Sequence, residues 1–91
     1  KVFRVACEAG ARMNWHRHSG SQLLLILEGK CWLQKRGEAK QTLSAGDVAR
    51  IAAGEEHWHG ASQHTAMVHI AINVNTKTDW LESVTRKDYL A

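Results

Sequence analysis

The chain has 91 residues, 44% of them hydrophobic, and a formal charge of +3 with histidine neutral. That suits one small globular domain, 1–91, whose thin stability margin a bound metal or a second copy would widen. The basic residues are scattered, which argues against a nucleic-acid surface, and no apolar run approaches the ~20 residues that cross a membrane.

Glycines recur along the chain, and the runs between them are short and rich in β-formers. Strands are expected at 2–7, 13–16, 21–27, 30–35, 40–43, 47–51, 57–59 and 65–74. Short strands at this spacing predict an all-β barrel or sandwich. The last residues, 79–91, read as an irregular arm with at most a helical turn at 86–89. The sequence opens on Lys1 rather than Met, so a short preceding piece is expected to be missing. No secretory leader is visible, and Cys7 and Cys31 have no metal-knuckle or redox spacing. Two reduced thiols in a cytoplasmic protein are the expectation.

Successive side chains of a strand point to opposite faces. His16 and His18 therefore share a face, with Trp15 on the other; His57 and His59 share a face, with Trp58 opposite. Along 65–74, Met67, His69, Ala71 and Asn73 line one side. The run Leu23 to Leu27 is apolar on both sides and needs cover on both. In a single barrel wall the outer cover has to come from another sheet or another subunit, so a homodimer is expected.

Six histidines in so short a chain are unusual, and four of them form two His-x-His pairs. Taken singly, each is a poor metal-ligand candidate. Jointly, His16, His18, Gln22 four residues on, and the distant His57 form a set that can close on one divalent transition ion. His64, Asp47 and the Glu55–Glu56 pair read as turn or solvent-facing residues.

This arrangement resembles the cupin family. Its first motif, Gly-x5-His-x-His-x3,4-Glu-x6-Gly, is matched by Gly10, His16, His18, Gln22 and Gly29. Its second, Gly-x5-Pro-x-Gly-x2-His-x3-Asn, is matched by Gly46, Gly54 and His57, while Ala52 and Ala61 replace Pro and Asn. The resemblance implies a double-stranded β-helix (jelly-roll) barrel, a central metal and frequent dimers. Gln22 stands where the family carries Glu, so every ligand is neutral and a divalent ion keeps its whole charge, favouring anionic or oxygen-bearing ligands.

The strings WHRHSGSQLLLILEG and GDVARIAAGEEHWHGAS look like one subgroup, the carboxymuconolactone decarboxylase-associated cupins and bacterial cupin-type hydroxynitrile lyases. That subgroup holds a metal through three His and one Gln. It implies a metal-dependent lyase on a small carbonyl or hydroxy compound, with Mn or Zn favoured over Fe, Ni or Cu, and His59 and His69 lining the pocket as proton carriers. A cupin dioxygenase and a non-enzymatic metal- or small-molecule-binding cupin are the alternatives.

Overall fold

The computed structural model describes residues 1–74 and 76–91. Eight strands and one short helix follow in the order β1 (Val2–Cys7), β2 (His16–His18), β3 (Gln22–Lys35), β4 (Gln41–Ser44), β5 (Val48–Ile51), β6 (His57–Ala61), β7 (Met67–Asn73), β8 (Thr78–Trp80) and α1 (Arg86–Leu90). All strand pairings are antiparallel. One sheet runs β1-β7-β3-β5; the other runs β4-β3-β6-β2-β8. They face each other as a curled double-layer jelly roll, the all-β barrel that the spacing of short strands predicts.

The two sheets share β3. Its first half, Gln22 to Gly29, pairs with β7; its second half, from Lys30, pairs with β4 and β6. Two expected strands, 21–27 and 30–35, are therefore one strand that turns a corner. The corner has an identifiable cause. Ile26 faces His69 and Glu28 faces Val68, so Leu27 is an extra residue, a bulge, and Gly29 follows at φ +76°. An extra residue inverts the side-chain parity. Before it Gln22, Leu24 and Ile26 are buried; after it Cys31 and Leu33 are. Both halves thus send their apolar side chains into one interior, where Leu24, Ile26, Leu33, Ile51, Met67 and Ala71 pack.

The outer faces of the two sheets differ. Behind the β3-β6-β2 sheet, Trp15 and Trp58 are covered by Val84 and Tyr89 of the C-terminal arm. Three cations clamp that arm. Arg12 lies 4.4 Å from the Tyr89 ring and donates to the Val84 carbonyl; Arg36 lies 3.9 Å over Trp15 and pairs with Glu82; Lys40 lies 3.5 Å over Trp32 and donates to the Tyr89 carbonyl. The Tyr89 hydroxyl also donates to the Ala61 carbonyl at 2.7 Å. The arm expected to be irregular is therefore an ordered outer layer, and its helical turn is α1, capped by the Thr85 hydroxyl. On the outer face of the other sheet, Val2, Leu23 and Val48 stay 67%, 41% and 61% exposed.

A further strand differs from expectation. Residues 13–16 do not form a strand; β2 is His16–His18. Met13 donates to the His59 carbonyl, and Trp15 donates to the Glu82 carbonyl and accepts from the Leu81 amide, as the chain crosses toward the arm; continuous pairing begins only at His16. Both cysteines are free, Cys31 buried and Cys7 half-buried. No described helix is long and apolar enough to cross a membrane.

Candidate metal centre and cavity

Both sheets contribute to one end of the barrel. From one side, β2 and β6 pair His16 with His57, while β8 sets Trp80 beside His16 and Thr78 beside His18. His59 lies opposite Leu33. From the other side, β3 and β7 set Gln22 beside Asn73 and Ile26 beside His69. The face assignments read from alternation hold: His16, His18, His57, His59 and His69 are all buried, and Asn73 turns toward Gln22. His64 is exposed in a turn, and the Asp47 carboxylate closes its own turn by accepting from the Ser44 amide.

The imidazole rings crowd together. Ring centres of His16 and His57 are 4.3 Å apart, of His16 and His18 5.0 Å, and of His59 and His69 5.0 Å. Among the described residues, His16, His57 and His59 present nitrogens that all lie within 4.8 Å of one another, a group that could hold a metal ion. His18 is outside that group, although its ring centre lies 5.0 Å from that of His16 and 5.3 Å from that of His57.

The hydrogen bonds sort these rings into two kinds. Nδ1 of His16 bonds the Asn14 carbonyl at 2.8 Å, and Nδ1 of His57 bonds the Glu55 carbonyl at 2.9 Å. A carbonyl only accepts, so each Nδ1 carries the proton and each Nε2 is left with a lone pair. Nδ1 of His18 bonds the Thr78 hydroxyl at 2.9 Å, and the Gln22 amide nitrogen donates to the Asn73 side-chain oxygen at 2.8 Å. The inner atoms, His18 Nε2, His57 Nε2 and Gln22 Oε1, are buried without a hydrogen-bond partner among the described residues. His59 and His69 are different: neither ring nitrogen of either has a partner there. So many buried, unpartnered lone pairs are costly in an apoprotein, and a cation offsets that cost. The donor set therefore fits a divalent ion: neutral imidazole and amide oxygen, each held from outside.

Burial holds all these rings neutral. It pushes His57 down to about 4, and His16 and His18 add to the effect while the Glu55 carbonyl opposes it. Burial likewise lowers His16, His18 and His69, and His59 falls well below the usual histidine range.

The cluster opens into a cavity of about 410 Å³. His16, His18, Gln22, His59 and His69 line its floor, and Phe3, Val5, Met13 and Trp80 its apolar wall; Lys1 and Arg4 are the charged residues among those that line it. The Glu55–Glu56 pair, expected to face solvent, is half-buried and tied down instead. Glu55 accepts from the Ala52 amide and pairs with Lys35, and Glu56 pairs with Arg36. Sequence reasoning missed Thr78 and Trp80, because a three-residue strand carries too little alternation to stand out.

Comparison with known proteins agrees with this fold. The cupin domain family matches residues 3–73. An (R)-mandelonitrile lyase from Granulicella tundricola is 42% identical over 88 residues, which is 93% of this chain and 67% of that protein. The solved structure of a cupin-like protein from Thermotoga maritima superposes with a TM-score of 0.95 at 41% identity, covering 97% of this chain and 68% of that one. A double-stranded β-helix cupin from Methanocaldococcus jannaschii shares the fold at a TM-score of 0.73 and 10% identity, over 89% of this chain and 69% of that one.

Proposed function

The chain belongs to the cupin family, and from that premise we propose that it is a metal-dependent enzyme acting on a small carbonyl or hydroxy compound, with a hydroxynitrile-lyase-like reaction. The observation that carries this reading is the set of inward-facing donors fixed from outside, at the floor of a cavity large enough for a small organic molecule. We assign His16, His18, Gln22 and His57 as ligands because each has its outer atom anchored. His59, whose ring has no such anchor, is left for chemistry, together with His69.

A divalent ion in this neutral set, Mn or Zn by preference, supplies an undiminished positive charge for an alkoxide or a departing cyanide. The protein supplies the proton traffic. For cyanohydrin cleavage, a neutral ring nitrogen of His59 or His69 takes the hydroxyl proton as the carbon–oxygen double bond forms and the bond to cyanide breaks. The protonated imidazole then returns that proton to cyanide, so aldehyde and hydrogen cyanide leave and the enzyme is unchanged. The similarity to the mandelonitrile lyase supports this choice of reaction.

Elemental analysis and mandelonitrile cleavage test both parts. His18→Ala is expected to lose metal and turnover together. His59→Ala is expected to keep its metal while its turnover falls about 10²–10⁴-fold. Metal loss in His59→Ala with retention in His18→Ala would replace the ligand set by His16, His57 and His59. Metal-loaded wild type no faster than free metal would end the lyase reading, and oxygen uptake with a phenol or diketone would assign a dioxygenase.

The same proposal includes a homodimer, supported by the uncovered outer face where Val2, Ile72 and Leu23 form one row and Ile70, Leu25 and Val48 the next. Leu23→Glu with Val48→Glu is expected to halve the mass measured by light scattering. An unchanged mass would reject this face as the interface. Cytoplasmic residence is part of the proposal as well, and the two free thiols are compatible with it.

A further inference from the structure

The four assigned ligands are not held alike. His16 and His57 lean on backbone carbonyls two residues before them, anchors that lie just ahead of their own strands and that no side-chain change removes. His18 and Gln22 depend on side chains of other strands, Thr78 on β8 and Asn73 on β7, both outside the two cupin motifs. We propose that Thr78 and Asn73 are positioning residues that fix, respectively, the His18 tautomer and the Gln22 amide orientation required for binding a divalent metal. This rests on the ligand assignment above.

The need is chemical. A neutral imidazole can carry its proton on either nitrogen, and only the form protonated at Nδ1 presents Nε2 to an ion. For His18, Thr78 Oγ1 lies 2.9 Å from Nδ1; a hydroxyl can donate or accept there, and in the proposed arrangement it accepts, which holds the form protonated at Nδ1. A glutamine amide has two ends of nearly equal size, of which only the oxygen binds a cation. For Gln22, the Asn73 oxygen accepting at 2.8 Å draws the amide nitrogen outward and leaves Oε1 facing in, buried and without a hydrogen-bond partner among the described residues. The supports are themselves secured. Asn73 and Gln22 are cross-strand partners, as are Thr78 and His18. β8 is pinned to β2 by the Ser19 amide on the Lys77 carbonyl, the Lys77 amide on the Ser19 hydroxyl, and Arg17 on Asp79.

The test titrates the metal-free full chain with Zn²⁺ against a chromophoric chelator, and reads His18 tautomers by ¹⁵N NMR before metal is added. Thr78→Val, which keeps the shape and removes the hydroxyl, is expected to weaken Zn²⁺ about 10–100-fold and to mix the His18 tautomers. Thr78→Ser is expected to restore both. Asn73→Leu is expected to weaken Zn²⁺ by a similar factor, and Asn73→Asp, whose carboxylate can only accept, to bind at least as tightly as wild type. Wild-type affinity and an unmixed tautomer in Thr78→Val, while His18→Ala loses Zn²⁺, would overturn the positioning role of Thr78 and leave the metal site standing. Weak binding in Asn73→Asp would overturn the role given to Asn73. Wild-type affinity in His16→Ala and His18→Ala would overturn the ligand assignment itself and the positioning roles with it.

Discussion

Metal-free protein is expected to lose its fold as the pH is lowered from 7 toward 4. His57 is wholly buried, and its folded-state pKa of about 4 lies below the 6.5 it has when unfolded. Between those values the unfolded chain binds more protons than the folded one, so stability is whole above about 6.5 and drains as the pH falls toward 4. At pH 4 His57 alone costs about 3 kcal/mol. His16, His18, His59 and His69 shift in the same direction. A domain this small starts from the lower part of the usual ~5–15 kcal/mol, so the sum is enough to unfold it. Far-UV circular dichroism and tryptophan fluorescence against pH measure this. Zn²⁺ is expected to move the midpoint to lower pH, because metal and protons compete for the same lone pairs. A native spectrum at pH 4 without metal would show that the rings are far better solvated than their burial implies.

The second large effect concerns Gly29. Alanine there is expected to abolish folding, at more than about 4 kcal/mol. The residue sits at φ +76°, a conformation costing an ordinary side chain about 1–2 kcal/mol. The larger cost is steric. A Cβ at Gly29 would overlap the Ala66 carbonyl oxygen and lie 2.9 Å from its carbon, both of them backbone atoms of the neighbouring chain segment. Nothing flexible can give way, so β3 and β7 would have to separate. Gly37 is the control: its φ is +83°, but an added Cβ meets nothing within 4 Å. Gly37→Ala is expected to cost only the conformational ~1–2 kcal/mol. Chemical denaturation of both variants checks the contrast, and similar midpoints for the two would refute the steric argument.

Gly29 also shows what a sequence can and cannot disclose. Its place in the cupin pattern was legible, as were the shared faces of His16 with His18 and of His57 with His59, because alternation is a local property. The reason for Gly29 was not legible. It depends on Ala66, far along the chain, and on a bulge at Leu27 that joins two apparent strands into one. The C-terminal arm was misread for a similar reason. Val84 and Tyr89 are held by cations and aromatic rings contributed by distant segments, and nothing in residues 79–91 alone announces that. Thr78 and Trp80 escaped notice because their three-residue strand exists only through its register with β2. What was hidden in each case is a non-local contact.

That dependence on distant partners has a kinetic side. β1 pairs with β7 from Val2 against Ile72 to Cys7 against Met67, and β2 joins β6 and β8 across similarly long stretches of chain. Loops of this length close slowly, and all-β domains dominated by such pairings fold in milliseconds to seconds rather than microseconds. His16 and His57 meet only when β2 finds β6, and the outer supports of His18 and Gln22 depend in turn on β8 and the end of β7. An ion offered early meets scattered histidines instead of a site. A metal bound at the proposed site would therefore act as a lock applied after assembly, and is expected to slow unfolding while leaving the rate of folding nearly untouched.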